Sequence, residues 1–328
     1  MNDAGPAIFA LDADRSFAQA AAEVAGRAIA AHEERVFEDG EQKLRPLDSV
    51  RGADAYVVSS LHAEAGRSID DKLVRLLLFI ATLRDAGARR ITAVTPYLAY
   101  GRKDQRTKPR DPVTTRYLAM LLEAMGLDAI VALDVHNLAA YQNAFRCRAE
   151  HLEARQAFVA HLVGVLGDRA AVVVSPDAGG IKRAEAFRHS LSQALGREVG
   201  SGFVEKHRSE GRVFGDGFAG DIDGRVAVIV DDMISAGTTM ARAAEACRNG
   251  GASAVYGVAT HAVLAADAGP TLRDAPIERV LVSDSIAARP AVEALLGPRL
   301  VRVPVASLVG EAIRRLHAGA SLLELGGS

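Results

Sequence analysis

"RVAVIVDDMISAGTTMARAAEACRNGGASAVYGVATH", residues 225–261, is the stretch that decides the fold. Val226 to Val230 form an apolar run without alternation, as in a strand buried on both faces. The run ends on Asp231 and Asp232 and passes into Ser235-Ala236-Gly237-Thr238-Thr239. A helix-forming stretch, MARAAEACRNGGA, follows and stops on glycine before the next apolar run, AVYGVATH. Strand, loop, helix and strand make one βαβ unit, and such units build parallel sheets. The loop suits an anion. N–H groups at a helix N-terminus point outward, and the helix dipole favours negative charge there. Gly237 permits close backbone approach, and Ser235, Thr238 and Thr239 add hydroxyl donors. Carboxylates cannot hold a phosphate themselves, so Asp231 and Asp232 suit sugar hydroxyls or a magnesium ion. Read without a ligand, the same residues are an N-capping loop beside solvated acids.

The same grammar extends along the chain. AYVVSS, ITAVTPY, AIVALDVH, AVVVSPDAGG and ERVLVSDS read as further strands, with VRLLLFIATLRDAGA and RYLAMLLEAMG as helices between them. A faint repeat links the halves: strand, loop, helix, Gly-Ala, strand occurs both at 55–97 and at 226–261. This predicts an α/β protein of two similar domains, with a boundary near residues 146–160. The length of 328 residues fits two domains, and an apolar fraction of 49% fills their cores. A net charge of −2 gives no global attraction to nucleic acid or to a membrane surface. Tryptophan is absent and aromatics make up 5%, which argues against base-stacking platforms. The most apolar helix, LVRLLLFIATL, is about 11 residues long, too short to span a bilayer, and carries Arg75. Acids in the first residues, where a signal peptide needs bases, and two cysteines in no metal or redox spacing point to a soluble cytoplasmic protein.

Five other stretches could carry chemistry. PYLAYGRKDQRTKPRDPVTT, 96–115, is a loop with Arg102, Lys103, Arg106, Lys108 and Arg110, suited to a polyphosphate or simply solvated. AIVALDVHN ends on Asp134-Val135-His136, and strand alternation would put Asp134 and His136 on one face. A single histidine is more often structural. VVVSPDAGGIKRAEAF, 172–187, places Asp177 in a tight glycine turn before a helix, where a carboxylate can hold a metal-bound phosphate. FVEKHRSEGRVFG carries Lys206 and Arg208 two apart, on one side of an extended segment; unaided, they read as surface residues. RVFEDGEQKLR, 35–45, reads as a hairpin turning at Asp39-Gly40.

Taken in order, these stretches resemble ribose-phosphate pyrophosphokinases (phosphoribosyl diphosphate, or PRPP, synthases), from about residue 8 to about residue 316. VIVDDMISAGTTM is similar to the PRPP-binding loop of the phosphoribosyltransferase-type fold. The resemblance implies two phosphoribosyltransferase-like domains, each a mostly parallel sheet flanked by helices: 1–150 on the ATP side and 151–300 on the ribose 5-phosphate side. Residues 301–328 would form a C-terminal helix packing back on the first domain. It implies pyrophosphoryl transfer from Mg–ATP to ribose 5-phosphate, at a site between the domains. Lys206 and Arg208 would be catalytic, at the mouth of the catalytic loop. Arg102 and Lys103 would contact ATP, joined by Phe37, Asp39 and Glu41 on a hairpin that reaches a neighbouring subunit's adenine. His136, supported by Asp134, and Asp177 would hold Mg2+, the implied cofactor. Asp231, Asp232, Ser235, Ala236, Gly237, Thr238 and Thr239 would bind ribose 5-phosphate. Assembly into dimers or larger rings, often hexamers, is implied, with no nucleic-acid or membrane partner.

The chain departs from the family pattern in four places. Lys103 replaces a glutamine. Thr238 stands where glycine is usual, in a backbone expected to need positive φ. The tail GASLLELGGS lacks the usual Ser-Val-Ser-x-Leu-Phe ending, and Arg75 stands where the family usually has glutamate. A non-catalytic regulatory relative and a phosphoribosyltransferase that consumes PRPP are the alternatives. Retention of His136, Asp177, Lys206 and Arg208 counts against the first, and the Asp-x-His and Lys-x-Arg pairs count against the second.

Overall fold

The computed structural model describes residues 5–13, 15–64, 66–209, 212–287 and 289–325, the side chains of 205–216 excepted. The chain forms two compact units, Met1–Glu153 with Ala306–Ser328, and Ala154–Val305.

In the first unit the chain runs β1 (Ala7–Ala10), α1 (Ser16–Val24), β2 (His32–Val36), β3 (Gln42–Pro46), β4 (Asp54–Val58) and α2 (Ile69–Asp85). It continues through β5 (Arg90–Thr95), α3 (Thr114–Ala124), β6 (Ala129–Leu133), α4 (Leu138–Ala144) and β7 (Arg148–Leu152). Five strands pair in parallel in the order β1-β4-β5-β6-β7, while β2 and β3 form a separate antiparallel hairpin. Every residue of β4 and β6 is buried; both are apolar throughout except for Asp54, which Arg90 and His317 bond. Helix α2 opens with a capping box between Ser68 and Asp71, and buries Leu76, Phe79, Ile80 and Leu83.

That helix also buries two cations. Lys72 lies 2.8 Å from Asp12, and the Arg75 Nη1 donates to Glu34 Oε2 on β2 at 2.6 Å. Arg67 and His32 add further bonds to Glu34 at 3.3 and 3.0 Å. Burial opposes ionisation of Glu34, but the His32 bond and the charges of Arg67 and Arg75 outweigh it and hold the carboxyl below its usual range. Arg75 thus has a structural role: it ties the hairpin to α2.

The second unit runs α5 (Arg155–Leu166), β8 (Ala171–Ser175), α6 (Ile181–Leu195), β9 (Gly200–Ser209), β10 (Arg212–Ala219) and β11 (Val226–Met233). Then come α7 (Thr238–Asn249), β12 (Ala254–His261), α8 (Ala268–Asp274), β13 (Arg279–Ser283), α9 (Pro290–Leu296) and β14 (Leu300–Val303). The sheet order is β10-β9-β8-β11-β12-β13-β14, parallel except where β10 pairs with β9. Helix α7 lays Met240, Ala243, Ala244 and Cys247 on this sheet among Ile229, Val255 and Val280. Helix α10 (Ala306–Ala318) belongs to the first unit.

The repeated Gly-Ala now has a physical meaning. Gly87 and Gly251 adopt φ of 89° and 93°. The next residues, Ala88 and Ala252, donate back to Leu83 and Cys247 at 3.0 Å each. Both pairs close a helix and release the chain into a strand parallel to the one before. Among the described residues, no helix is long and apolar enough to cross a membrane.

Candidate active site

β11 lies between β8 and β12, so its C-terminal end is flanked by the loops that follow both neighbours. Asp232 is buried and Asp231 half-buried. The Asp232 N–H donates to Asp231 Oδ1 at 2.9 Å. Arg183, three residues into α6, brings Nη1 to 3.4 Å from a carboxylate oxygen of each acid. Burial first, and then the Asp232 charge, raise the Asp231 carboxyl well above its ordinary value; Arg183 offsets part of this. The pair thus gathers two carboxyls whose joint ionisation a cation would favour. Sequence reading saw Arg183 only as part of a helix start. Nothing local in the chain says that it points at acids 48 residues away.

After the acids the chain turns on Gly237, which has φ of 80° and stands at the N-cap of α7. A Cβ there would meet the Leu272 Cγ at 3.1 Å. The carbonyls of Ile234 and Ser235 accept bonds from Leu264 and Ala265 at 2.8 and 3.0 Å, which fixes the turn. No side chain caps α7, and the N–H groups of a first helical turn have no intrahelical acceptor. Thr238 and Thr239 are exposed beside it, with Ser235 and Ala236 half-buried. The expectation that Thr238 occupies a positive-φ position is corrected: Gly237 does, and Thr238 is the first residue of α7.

Beyond β8, Asp177 caps a short turn by accepting the Gly179 and Gly180 N–H bonds on Oδ1, at 3.0 and 3.2 Å. The Ser175 hydroxyl donates to the Asp177 carbonyl at 2.6 Å, and a Cβ on Gly180 would stand 2.7 Å from that hydroxyl oxygen. The glycine is therefore required by close approach. Lys206 and Arg208 lie on β9, opposite Asp216 and Val213 of β10. Their side chains lie outside the described residues.

In the first unit, the shared-face expectation for Asp134 and His136 is corrected. β6 ends at Leu133 and Asp134 takes φ of 39°, so the period of two stops before these residues. His136 is exposed on the following turn. Asn137 caps α4 and donates to Asp104 Oδ2 at 2.6 Å, which joins this turn to the basic loop. In that loop Arg102 is exposed, whereas the Lys103 Nζ donates to Asp111 at 2.5 Å. The hairpin turns as read. Gly40 has φ of 93°, the Phe37 N–H donates to the Glu41 carbonyl at 2.8 Å, and the Glu41 N–H donates to Asp39 Oδ1 at 3.0 Å. The Arg35 guanidinium lies 4.6 Å from the centre of the Phe37 ring.

Comparison with known proteins places these features in a family. Residues 6–126 match the family model of the N-terminal domain of ribose phosphate pyrophosphokinase, and residues 217–325 match the phosphoribosyl synthetase-associated domain. A ribose-phosphate pyrophosphokinase of Aquifex aeolicus (strain VF5) is 35% identical over 88% of this chain and 88% of its own. One from Gloeobacter violaceus is 35% identical over 98% of this chain and 93% of its own. The crystal structure of phosphoribosylpyrophosphate synthetase from Mycobacterium smegmatis matches with a TM-score of 0.86 at 31% identity, over 97% of this chain and 100% of that one. By fold, by coverage and by both domain matches, the chain belongs to the ribose-phosphate pyrophosphokinase family.

Proposed function

We propose that the chain joins ribose 5-phosphate and ATP to give PRPP and AMP. The observation that carries this is the Asp231–Asp232 pair at the tip of β11, directly before the uncapped N-terminus of α7. Amide hydrogens and hydroxyls from Ser235 to Thr239, with Ala236 and Gly237 shaping the backbone, suit the 5-phosphate. The two acids suit the ribose hydroxyls. Arg102 and His136, with Phe37, Asp39 and Glu41 of a neighbouring subunit's hairpin, form the nucleotide side, and Lys103 belongs to the same basic loop as Arg102.

Carboxylate oxygens are the donors a hard divalent cation prefers, magnesium in our reading, and Asp177, Asp231 and Asp232 offer them after β8 and at the end of β11; among the described residues no group of three or more candidate ligands gathers. Asp177 in the second unit and His136 in the first are each our candidates for a magnesium contact, and Asp231 and Asp232 for contacts with the sugar. When bound, the ion neutralises triphosphate charge. The remaining work is positioning and charge stabilisation. The oxygen at ribose C1 forms a bond to the β-phosphorus, and the bond from that phosphorus to the oxygen shared with the α-phosphorus breaks. AMP leaves with the electron pair, and the hydroxyl proton passes to solvent. Lys206 and Arg208 offset charge on the group in flight. We further propose a cytoplasmic homo-oligomer; both cysteines are free, as suits a reducing compartment.

Purified protein with ATP, magnesium and ribose 5-phosphate should yield AMP and PRPP in equal amounts. AMP without PRPP would mean another acceptor, and no AMP would overturn the reading in favour of a regulatory relative. Lys206→Ala is expected to retain ATP binding and to lose turnover by about 10²- to 10³-fold, measured by calorimetry and steady-state kinetics.

A further inference from the structure

The loop between β5 and α3 holds its charges in an unequal way. Arg102, Arg106, Lys108 and Arg110 are exposed, but Lys103 and Asp111 are half-buried against one another. Oδ2 of Asp111 accepts four bonds: from Lys103 Nζ at 2.5 Å, Thr107 Oγ1 at 2.8 Å, the Lys108 N–H at 2.9 Å and the Thr107 N–H at 3.1 Å. Lys103 Nζ also donates to Thr107 Oγ1 at 2.9 Å. The loop is pinned at its base as well, where Thr114 Oγ1 bonds the carbonyls of Tyr100 and Lys103 at 3.0 and 3.3 Å. Asp104 ties it to Asn137, next to His136.

We infer that Lys103 and Asp111 form a clasp that presets the basic loop for a polyphosphate ligand, with Lys103 acting as a positioning residue instead of a ligand contact. The inference deepens the nucleotide side of the proposed function and rests on that reading. Four exposed cations within nine residues, from Arg102 to Arg110, repel one another and favour an open loop. A carboxylate drawing in the backbone on one flank and an ammonium on the other opposes that spreading. The ligand then meets cations already gathered, and less ordering entropy is lost on binding. The ammonium of Lys103 is already engaged within the loop. Asp111 ionises more readily than an ordinary aspartate, chiefly through the Lys103 bond, so the clasp persists across the neutral range.

The test uses the full chain with Lys103→Gln, Asp111→Asn and the double substitution. Asp111→Asn is isosteric and the loop is at the surface, so folding should survive, as circular dichroism would verify. Limited trypsin digestion without ligand should cut at the loop's basic residues faster in each variant than in the parent. The KM for ATP should rise roughly 5- to 10-fold in each single variant with kcat little changed. The double variant should be no worse than either single, because both break one interaction. Unchanged trypsin sensitivity would overturn the clasp whatever happens with ATP. Additive effects on KM, with Lys103→Gln acting fully in the Asp111→Asn background, would make Lys103 a direct contact and overturn its positioning role. A faster-cut loop in a protein that binds no ATP would overturn the nucleotide reading, and the role of the clasp with it.

Discussion

Asp231 resists ionisation first because its half-buried setting keeps water from much of its carboxyl and next because Asp232 stands beside it. Such a carboxyl binds more protons in the folded protein than in the unfolded chain. Its contribution therefore favours the fold in acid, and that advantage is lost as pH rises from the ordinary carboxylate value through the raised one. Asp231→Asn is expected to stabilise the unliganded protein by roughly 1–3 kcal/mol at mildly alkaline pH and by less in acid. Thermal unfolding across pH reads this directly, and midpoints that track the parent at every pH would refute it. Gly237 is constrained differently. Its φ of 80° is left-handed, and Leu272 closes the space a side chain would need. Gly237→Ala should cost about 1–2 kcal/mol in backbone strain alone and raise the KM for ribose 5-phosphate at least tenfold. Thr238 escapes both constraints as a helical residue, so the departure from the family glycine is compatible with the turn.

Hairpin β2–β3 lies outside the five-stranded sheet, and a two-stranded ribbon is marginal without support. Glu34 supplies that support through Arg75 and Arg67, its carboxylate drawn to cations on α2 and on the loop before it. Arg75→Glu sets two carboxylates together in a buried place. It should cost about 3–5 kcal/mol, read by denaturant unfolding. Glu34→Arg combined with Arg75→Glu should recover part of the loss, and no recovery would show that the pair does not act as a unit. The elements themselves were more legible than their partners. Unbroken apolar runs marked β4, β6, β8, β11 and β12, and glycine marked the ends of α2, α3 and α7. β7 carries Arg148, Glu150 and His151 and is mostly half-buried, so its sequence gave no apolar signal. The run of charged residues from Glu205 to Arg212 marks β9 and β10 only as an extended stretch.

At the scale of the molecule, α10, the last α-helix among the described residues, belongs to the same unit as β1 and α1. α10 packs on α1 where Gly310 allows it, since a Cβ there would stand 2.3 Å from the Ala21 carbonyl oxygen. His317 bonds buried Asp54 at 2.7 Å, and Arg90 donates to the Leu316 carbonyl at 3.0 Å, so α10 is held by polar contacts at its far end too. Gly310→Ala should force the helices apart and cost about 1–3 kcal/mol. A loss of that size in the unfolding midpoint is the expected result, and an unchanged midpoint would mean that α10 shifts without penalty.

By itself the sequence determined most of the strands, the helix stops and the turn at Gly237, because each depends on burial period, glycine backbone freedom or residues adjacent in the chain. It located the acid pair and the loop from Ser235 to Thr239 within a few residues of one another for the same reason. Tertiary structure alone decided which cation meets which acid. Arg183 and Asp231 are 48 residues apart, and Arg75 and Glu34 are 41 apart. Charge attracts through space without regard to period, so no local pattern records these pairs. The end of alternation at Asp134 was hidden too, since a single left-handed residue leaves the run of residue types unchanged while it redirects the side chains that follow.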